Sequence, residues 1–255
     1  MMRRRLVVNA DDFGFTRGVN EGIVEAHRNG ILTACTLMAN GAAFDHAAAL
    51  ALETPSLDVG GHLVLVGGES VLEPGRALPA SVPRLLAEIA RGRLRLYDEL
   101  AAQVEKIRAA GLAPTHLDTH KHTHLAPPVL RAVMEVARAF RICWVRRTLE
   151  VPLLRGYFER LLERHGCRAT DRFAGYRMTG QLDAAALTRQ ICGLPPGLTE
   201  FMCHPGRLTS ELRQAPTRLK DSRERELAAL TAPGVRQALA EAEVELVNYR
   251  KLTSS

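Results

Sequence analysis

Four of the nine histidines of this chain crowd into the stretch "HLDTHKHTH" as His116, His120, His122 and His124, with Asp118 among them. Imidazoles and a carboxylate at this density are what a divalent cation takes as ligands. Three other stretches supply what a hydrolytic metal centre would still need: Asp11 and Asp12 in "NADDFG", His62 in "GGHL" and His204 in "CHPG". The chemistry they suggest is metal-assisted hydrolysis, in which one carboxylate ligates the cation and another takes a proton from an activated water.

Each stretch also has a plainer reading. Taken as a strand, "PTHLDTH" puts His116, Asp118 and His120 on one face and Leu117 and Thr119 on the other. A helical reading with His120 and His124 as a ligand pair fails, because that pattern requires Glu where Lys121 stands. His122 and His124 read as exposed loop residues. Either aspartate could instead cap a turn, and His62 could be a satisfied core histidine beside glycines needed for tight packing. His204 precedes Pro205, which biases it to extended backbone at a strand end. Cys203 next to it makes no dyad, since neighbours on a strand face opposite sides. The chain has no G-x-S-x-G elbow, no G-x-x-x-x-G-K-[ST] loop and no G-x-G-x-x-G turn, which removes the commonest serine-nucleophile, phosphate-loop and dinucleotide chemistries.

These residues need a scaffold that brings strand ends together. Short β-rich runs alternate with segments of helical period: "RRLVVNA", then "TRGVNEGIVEAHRNG" with Thr16 as N-cap and Gly30 at its end, then "ILTACTLMA", "AAFDHAAALALE" and "LDVGGHLVLV". Helical patterns in "SVPRLLAEIARG" and "YDELAAQVEKIRAAG" lead to "PTHLDTH", the proline-started helix "PPVLRAVMEVARAF", and the strand "ICWVRR". The alternation predicts an α/β fold with a parallel sheet or barrel, and residues 1–255 read as one domain. Active sites in such folds lie at the C-terminal ends of strands. All four stretches fall at such ends. Residues 66–80, "VGGESVLEPGRALPA", are a Gly- and Pro-rich loop and a candidate lid.

Composition closes off other classes. Hydrophobic residues at 46% and charged residues at 24% suit a soluble globular chain, and no apolar run approaches the roughly 20 residues of a membrane helix. The basic head "MMRRR" lacks the apolar region of a signal peptide, so a cytoplasmic location is expected. Five scattered cysteines without a C-x-x-C pair read as free thiols. The formal charge is +6, but arginines alternate with acids in "DSRERELAAL" and "LLERHGCRATDR", which read as solvated helix faces rather than a nucleic-acid surface. A homodimer is compatible with the sequence and not required by it.

Taken together, "VNADDFG", "GVNEGIVEAHRNGILTACTLMANG", "GGHLVLV", "THLDTHKHTH" and "EFMCHPG", in that order, make the chain resemble the YdjC-like carbohydrate deacetylases, which include chitooligosaccharide deacetylases and an HpnK-like, hopanoid-associated branch. The resemblance spans nearly the whole chain. It implies an irregular TIM-type (β/α) barrel that hydrolyses N-acetyl groups from amino sugars with one divalent metal, Mg²⁺ or Zn²⁺, with Mn²⁺ or Co²⁺ as further candidates. It implies Asp12, His62 and His120 as ligands, Asp11 as general base and His204 as the acid that protonates the leaving amine. The roles of the two aspartates are exchangeable on the sequence alone. His116 and Asp118 are candidates for orienting a ligand imidazole, and Arg146 for the same layer or for a substrate oxygen. The implied substrate is a chito-oligosaccharide or an N-acetylglucosaminyl glycolipid, and the single Trp and few other aromatics point to a short one. Two competing readings remain: a phosphoesterase, for which "DDFG" stands where H-x-H would be expected, and a basic, metal-stabilised binding protein without catalysis.

Overall fold

The computed structural model describes residues 3–147 and 152–254. Eight strands form one sheet: β1 (Arg4–Phe13), β2 (Ala34–Leu37), β3 (Asp58–Leu63), β4 (His116–Thr119), β5 (Trp144–Val145), β6 (Arg172–Ala174), β7 (Gly197–Cys203) and β8 (Val244–Leu246). The order is β5-β4-β3-β2-β1-β7-β6, and every ladder is parallel. The short β8 pairs with Arg4–Leu6 of β1, on the flank that β2 takes up from Asn9 onward.

The helices are α1 (Arg17–Asn29), α2 (Phe44–Glu53), α3 (Val82–Ala90), α4 (Leu96–Ala109), α5 (Pro127–Ala139), α6 (Pro152–His165), α7 (Ala184–Cys192), α8 (Ser210–Gln214), α9 (Asp221–Thr231), α10 (Pro233–Glu241) and α11 (Tyr249–Ser254). Local chemistry sets several of their ends. The Thr16 hydroxyl accepts from Val19 N, as an N-cap should, and Ser81 does the same for Arg84. α5 opens on two prolines, whose missing N–H groups cost nothing in a first turn.

Successive residues of each strand separate into two environments. Leu6, Val8 and Ala10 of β1, Cys35 and Leu37 of β2, and Phe201 and Cys203 of β7 pack outward with α1, α9 and α10 in one apolar cluster. Leu63, Leu117 and Val145 pack with α4, α5 and α6 in a second. Facing the other way, Val7, Ala34, Trp144 and Leu198 join Tyr249 and Leu252 of α11 in a small apolar plug. The fold is therefore a curled parallel α/β sheet with α1, α4, α5, α6, α9 and α10 outside and α11 against its concave side.

The expected TIM-type barrel is met in part. Among the described residues β5 and β6 share no ladder, and one bridge, Trp144 to Arg168, spans the seam. β5 has two residues and β6 three, too few to form the pairing that closure needs. Residues 66–80 depart from expectation more clearly. They form a turn pinned by the buried Glu99 of α4, which accepts from Ser70 Oγ, Val71 N and Leu72 N. None of these loop residues lines the main cleft, so the loop is a strapped turn and not a lid. No described helix is long and apolar enough to cross a membrane.

Candidate active site

A β-bulge separates the two aspartates. The register of β1 against β2 shifts between Ala10 and Phe13, and Asp12 sits there at φ 68°, a left-handed conformation that Asp tolerates better than most residues. Asp11 keeps the strand alternation and points, with Asn9 and Val7, to the concave side of the sheet. Asp12 turns instead toward the cleft.

Three donor atoms converge at the strand ends. Asp12 Oδ1 lies 3.4 Å from His62 Nε2 and 3.2 Å from His120 Nδ1, and the two ring nitrogens are 3.3 Å apart. A tetrahedral centre with bonds of about 2.0–2.1 Å separates its ligand atoms by about 3.3 Å, so the triangle has the right edge for one cation. Asp12 Oδ1 is buried and has no hydrogen-bond partner among the described residues, the state in which a buried carboxylate oxygen is costly unless something charged meets it. The donor set of one carboxylate and two imidazoles suits Zn²⁺, Mn²⁺, Co²⁺ or Mg²⁺. On these observations the residues fit a divalent metal.

The neighbouring strand holds His62 in place. His62 and Asp118 are register partners on β3 and β4, and His62 Nδ1 donates to Asp118 Oδ1 at 2.6 Å, which turns Nε2 toward the triangle. Burial alone would lower the His62 pKa, but the Asp118 charge and hydrogen bond raise it to about 10. The same contacts make this pocket favourable to positive charge. Thr36 Oγ1 completes the pairing by donating to Asp118 Oδ2 at 3.1 Å.

Arg146 organises the concave layer. It is 2% exposed and gives Nη1 and Nη2 to the two oxygens of Asp11 at 2.8 and 2.6 Å, Nη1 also to Asp118 at 2.7 Å, and Nε to Glu200 at 2.7 Å. Three carboxylates thus share one guanidinium, whose planar fork meets Asp11 bidentately. Burial would raise the Asp11 pKa, yet Arg146 overrides it and holds Asp11 well below the usual carboxylate range. For Glu200 burial wins and its carboxyl is pushed up, with Arg146 opposing. Of the two roles expected for Arg146, only the supporting one has geometry behind it. Its nitrogens are spent on carboxylates, and it does not line the cleft.

His116 belongs to the same layer but one step further back. Its Nε2 donates to Asn9 Oδ1 at 2.9 Å, Asn9 Nδ2 donates to Asp11 Oδ1 at 3.1 Å, and the ring stacks on Tyr249 at 4.1 Å. A Cβ on Gly60 would lie 2.6 Å from that ring, so the glycine makes the space for it. Burial and the Arg146 charge press the His116 pKa well down, which keeps the ring neutral.

His204 reaches the cleft from the end of β7. Its backbone N donates to Glu226 Oε2 at 2.5 Å, and its Nδ1 is buried without a partner among the described residues. The cleft, of about 670 Å³, lies over Asp11, Asp12, His62, His120 and His204. Its wall is formed by His122, Tyr176, Gln181 and Leu219, and Lys121, Arg177 and Arg218 add positive charge. All five residues expected to ligate or react therefore border one cavity, while His116, Asp118 and Arg146 stand behind it.

The exposed-loop reading of the last two histidines needs correction. His124 is 1% exposed and shares a 2.6 Å hydrogen bond with Thr119 Oγ1, and burial drops its pKa to about 3. His122 lines the cleft and meets Tyr176 edge-on at 5.0 Å. Lys121 and His122 bend there through positive φ of 54° and 51°, a conformation that no strand or loop periodicity would reveal. The reading of "DSRERELAAL" as solvated also fails, because Arg223 and Glu226 are each 1% exposed. The signal was present in the helical period: counting back from Leu230 and Leu227 places Glu226 and Arg223 on the buried face.

A family model described as YdjC-like protein matches residues 5–241. A carbohydrate deacetylase of Brevibacillus brevis is 34% identical over 257 residues, covering 97% of this chain and 99% of its own length. A chitooligosaccharide deacetylase of Klebsiella pneumoniae is 35% identical over 255 residues, covering 98% and 99%. A solved structure from Enterococcus faecalis V583, provisionally described as a cellobiose-phosphate cleavage protein, superposes with a TM-score of 0.84 at 25% identity, covering 98% of this chain and 99% of that one.

Proposed function

This chain belongs to the YdjC-like family, and from that premise we propose that it is a metal-dependent hydrolase that removes the N-acetyl group of an N-acetylated amino sugar, residues 1–255 acting as one domain. The observation that carries the reading is the triangle of Asp12 Oδ1, His62 Nε2 and His120 Nδ1, opening into the same cleft as Asp11 and His204. Relatives named as deacetylases supply the reaction class. The substrate is a chito-oligosaccharide or an N-acetylglucosaminyl conjugate such as a glycolipid.

In this reading Asp12, His62 and His120 hold one divalent cation. When bound, such a cation polarises the amide carbonyl and acidifies the attacking water. Asp11 would be the group placed to take that water's proton. Arg146 holds the Asp11 carboxyl in the charged form that this role requires. The same pairing gives it one orientation, with both oxygens anchored. His204 gives a proton to the departing nitrogen, and Glu226 fixes its backbone through the His204 N–H while also accepting from Gly180 N at 3.3 Å. One side chain therefore ties the reacting histidine to the cleft wall that follows Tyr176.

The test is acetate release from N-acetylglucosamine conjugates, from disaccharide to glycolipid, by chelator-stripped protein to which metal is returned. Metal-dependent release from one member supports the reading and names the substrate. Release of inorganic phosphate from sugar phosphates, with none of acetate from any conjugate, would replace it by the phosphoesterase.

A further inference from the structure

One buried cation has no part in the chemistry above. Arg223, in the first turn of α9, is 1% exposed and donates from Nη2 to Asp12 Oδ2 at 2.5 Å. Its Nε donates to Leu219 O at 3.3 Å, its guanidinium lies 5.8 Å from the Phe15 ring, and its own carbonyl accepts from Gly206 N at 3.2 Å. The side chain is thus held through Nε, Nη2 and the Phe15 ring, while Nη1 is buried without a partner among the described residues, and it meets one oxygen of the carboxylate whose other oxygen faces His62 and His120.

We infer that Arg223 is a positioning residue for the metal ligand Asp12, occupying Oδ2 so that Oδ1 alone is presented to the cation. This rests on the metal reading just given. The backbone of Asp12 is already in a left-handed bend at φ 68°, which aims the side chain at the cleft but leaves its terminal torsion free. An aspartate without a partner would offer either oxygen, or both together. The guanidinium removes that freedom, and the ordering entropy is then settled before any metal arrives.

Charge alone argues the opposite way, which makes the inference testable. A guanidinium within ion-pair distance of a ligand repels an incoming cation, so if Arg223 were only a counter-charge, neutralising it would tighten metal binding. If it positions Asp12, neutralising it weakens binding, and a side chain that keeps one donor recovers part of the loss.

The experiment compares wild type, His120→Ala, Arg223→Met and Arg223→Gln. Zn²⁺ affinity is measured by competition with a chromophoric chelator, and the visible spectrum is recorded with Co²⁺. The expected result is one equivalent bound tightly by wild type and lost in His120→Ala. Binding should weaken about tenfold or more in Arg223→Met, as for other groups that orient ligands. Arg223→Gln should fall in between, and the Co²⁺ bands should change where the carboxylate is free to chelate. Affinity equal to or tighter than wild type in both neutral variants, with an unchanged Co²⁺ spectrum, overturns the inference while leaving the metal site standing. Should Arg223→Met not fold, Arg223→Gln decides by the same sign. Zn²⁺ held by His120→Ala as tightly as by wild type would instead sink the metal reading and this inference with it.

Discussion

The concave face of the sheet is two different materials a few residues apart. At the N-terminal ends of the strands Val7, Ala34, Trp144 and Leu198 meet Tyr249 and Leu252 in an apolar plug. Two to four residues further along the same strands stand Asp11, Thr36, Arg146 and Glu200, all buried and all polar. The lower layer is held by burial of apolar surface. The upper layer is held by compensation, with three carboxylates on one guanidinium and a histidine on one of those carboxylates. Buried ion clusters of this kind add little net stability, because desolvation offsets the attraction. The comparison teaches that the plug and the outer helices stabilise the fold, so that the upper layer is free to be arranged for charge.

Substitutions in the two layers should therefore read out on different instruments. Asp11→Asn should lower turnover by about 10²–10⁴-fold, the range for a lost general base, while the protein still binds one equivalent of metal. If this variant emptied the site and Asp12→Asn did not, the two aspartates would exchange roles. In the plug, Trp144→Ala should cost about 3–5 kcal/mol of stability, the usual range for an aromatic truncated in a core, read as a lower denaturant midpoint. Turnover per folded molecule should hold. Loss of turnover without loss of stability would mean that the plug reaches the chemistry and that the division into layers is wrong.

The division also explains what could be read from the sequence. The βα alternation, the Thr16 cap and the proline start of α5 are local, and each stands where periodicity puts it. So does the gathering of Asp11, Asp12, His62, His120 and His204, because all five sit at strand ends and parallel strands end together. The supporting layer was only partly legible. Asp118 shares a face with His116 by simple alternation, but nothing in "ICWVRR" tells that Arg146 enters a cage of carboxylates from β1, β4 and β7. Arg223 was hidden by its neighbours: "SRERE" looks like a solvated charge run until the apolar residues after it fix which face is buried. Sheet closure is the least legible of all, since it depends on the length of β5 and β6 and not on their pattern.

Asp118 lies where the two principles meet, and it should show an intermediate effect. Asp118→Asn keeps an acceptor for His62 Nδ1 but loses the charge that holds the His62 ring and pairs with Arg146. Metal affinity should fall about 10–100-fold, as when other partners of ligand histidines are changed, and titration with Zn²⁺ measures it. An affinity unchanged from wild type would mean that the ring is held by packing alone.

The smallest effect is expected furthest from the layers, at Tyr176. Its ring is 45% exposed at the cleft wall and touches His122 edge-on, with Gly175 before it at φ 96° in a bend where a Cβ would collide with Met202 O at 2.2 Å. That bend fixes the backbone from which the ring reaches the cleft, and under the proposed function the ring is a surface against which the apolar side of a sugar would rest. Tyr176→Ala should raise KM a few-fold to about tenfold, in keeping with the modest energy of an aromatic contact, with kcat and metal affinity unchanged. A fall in kcat instead would show that the wall, tied to His204 through Glu226, positions the reacting groups and is not merely a surface on which substrate rests.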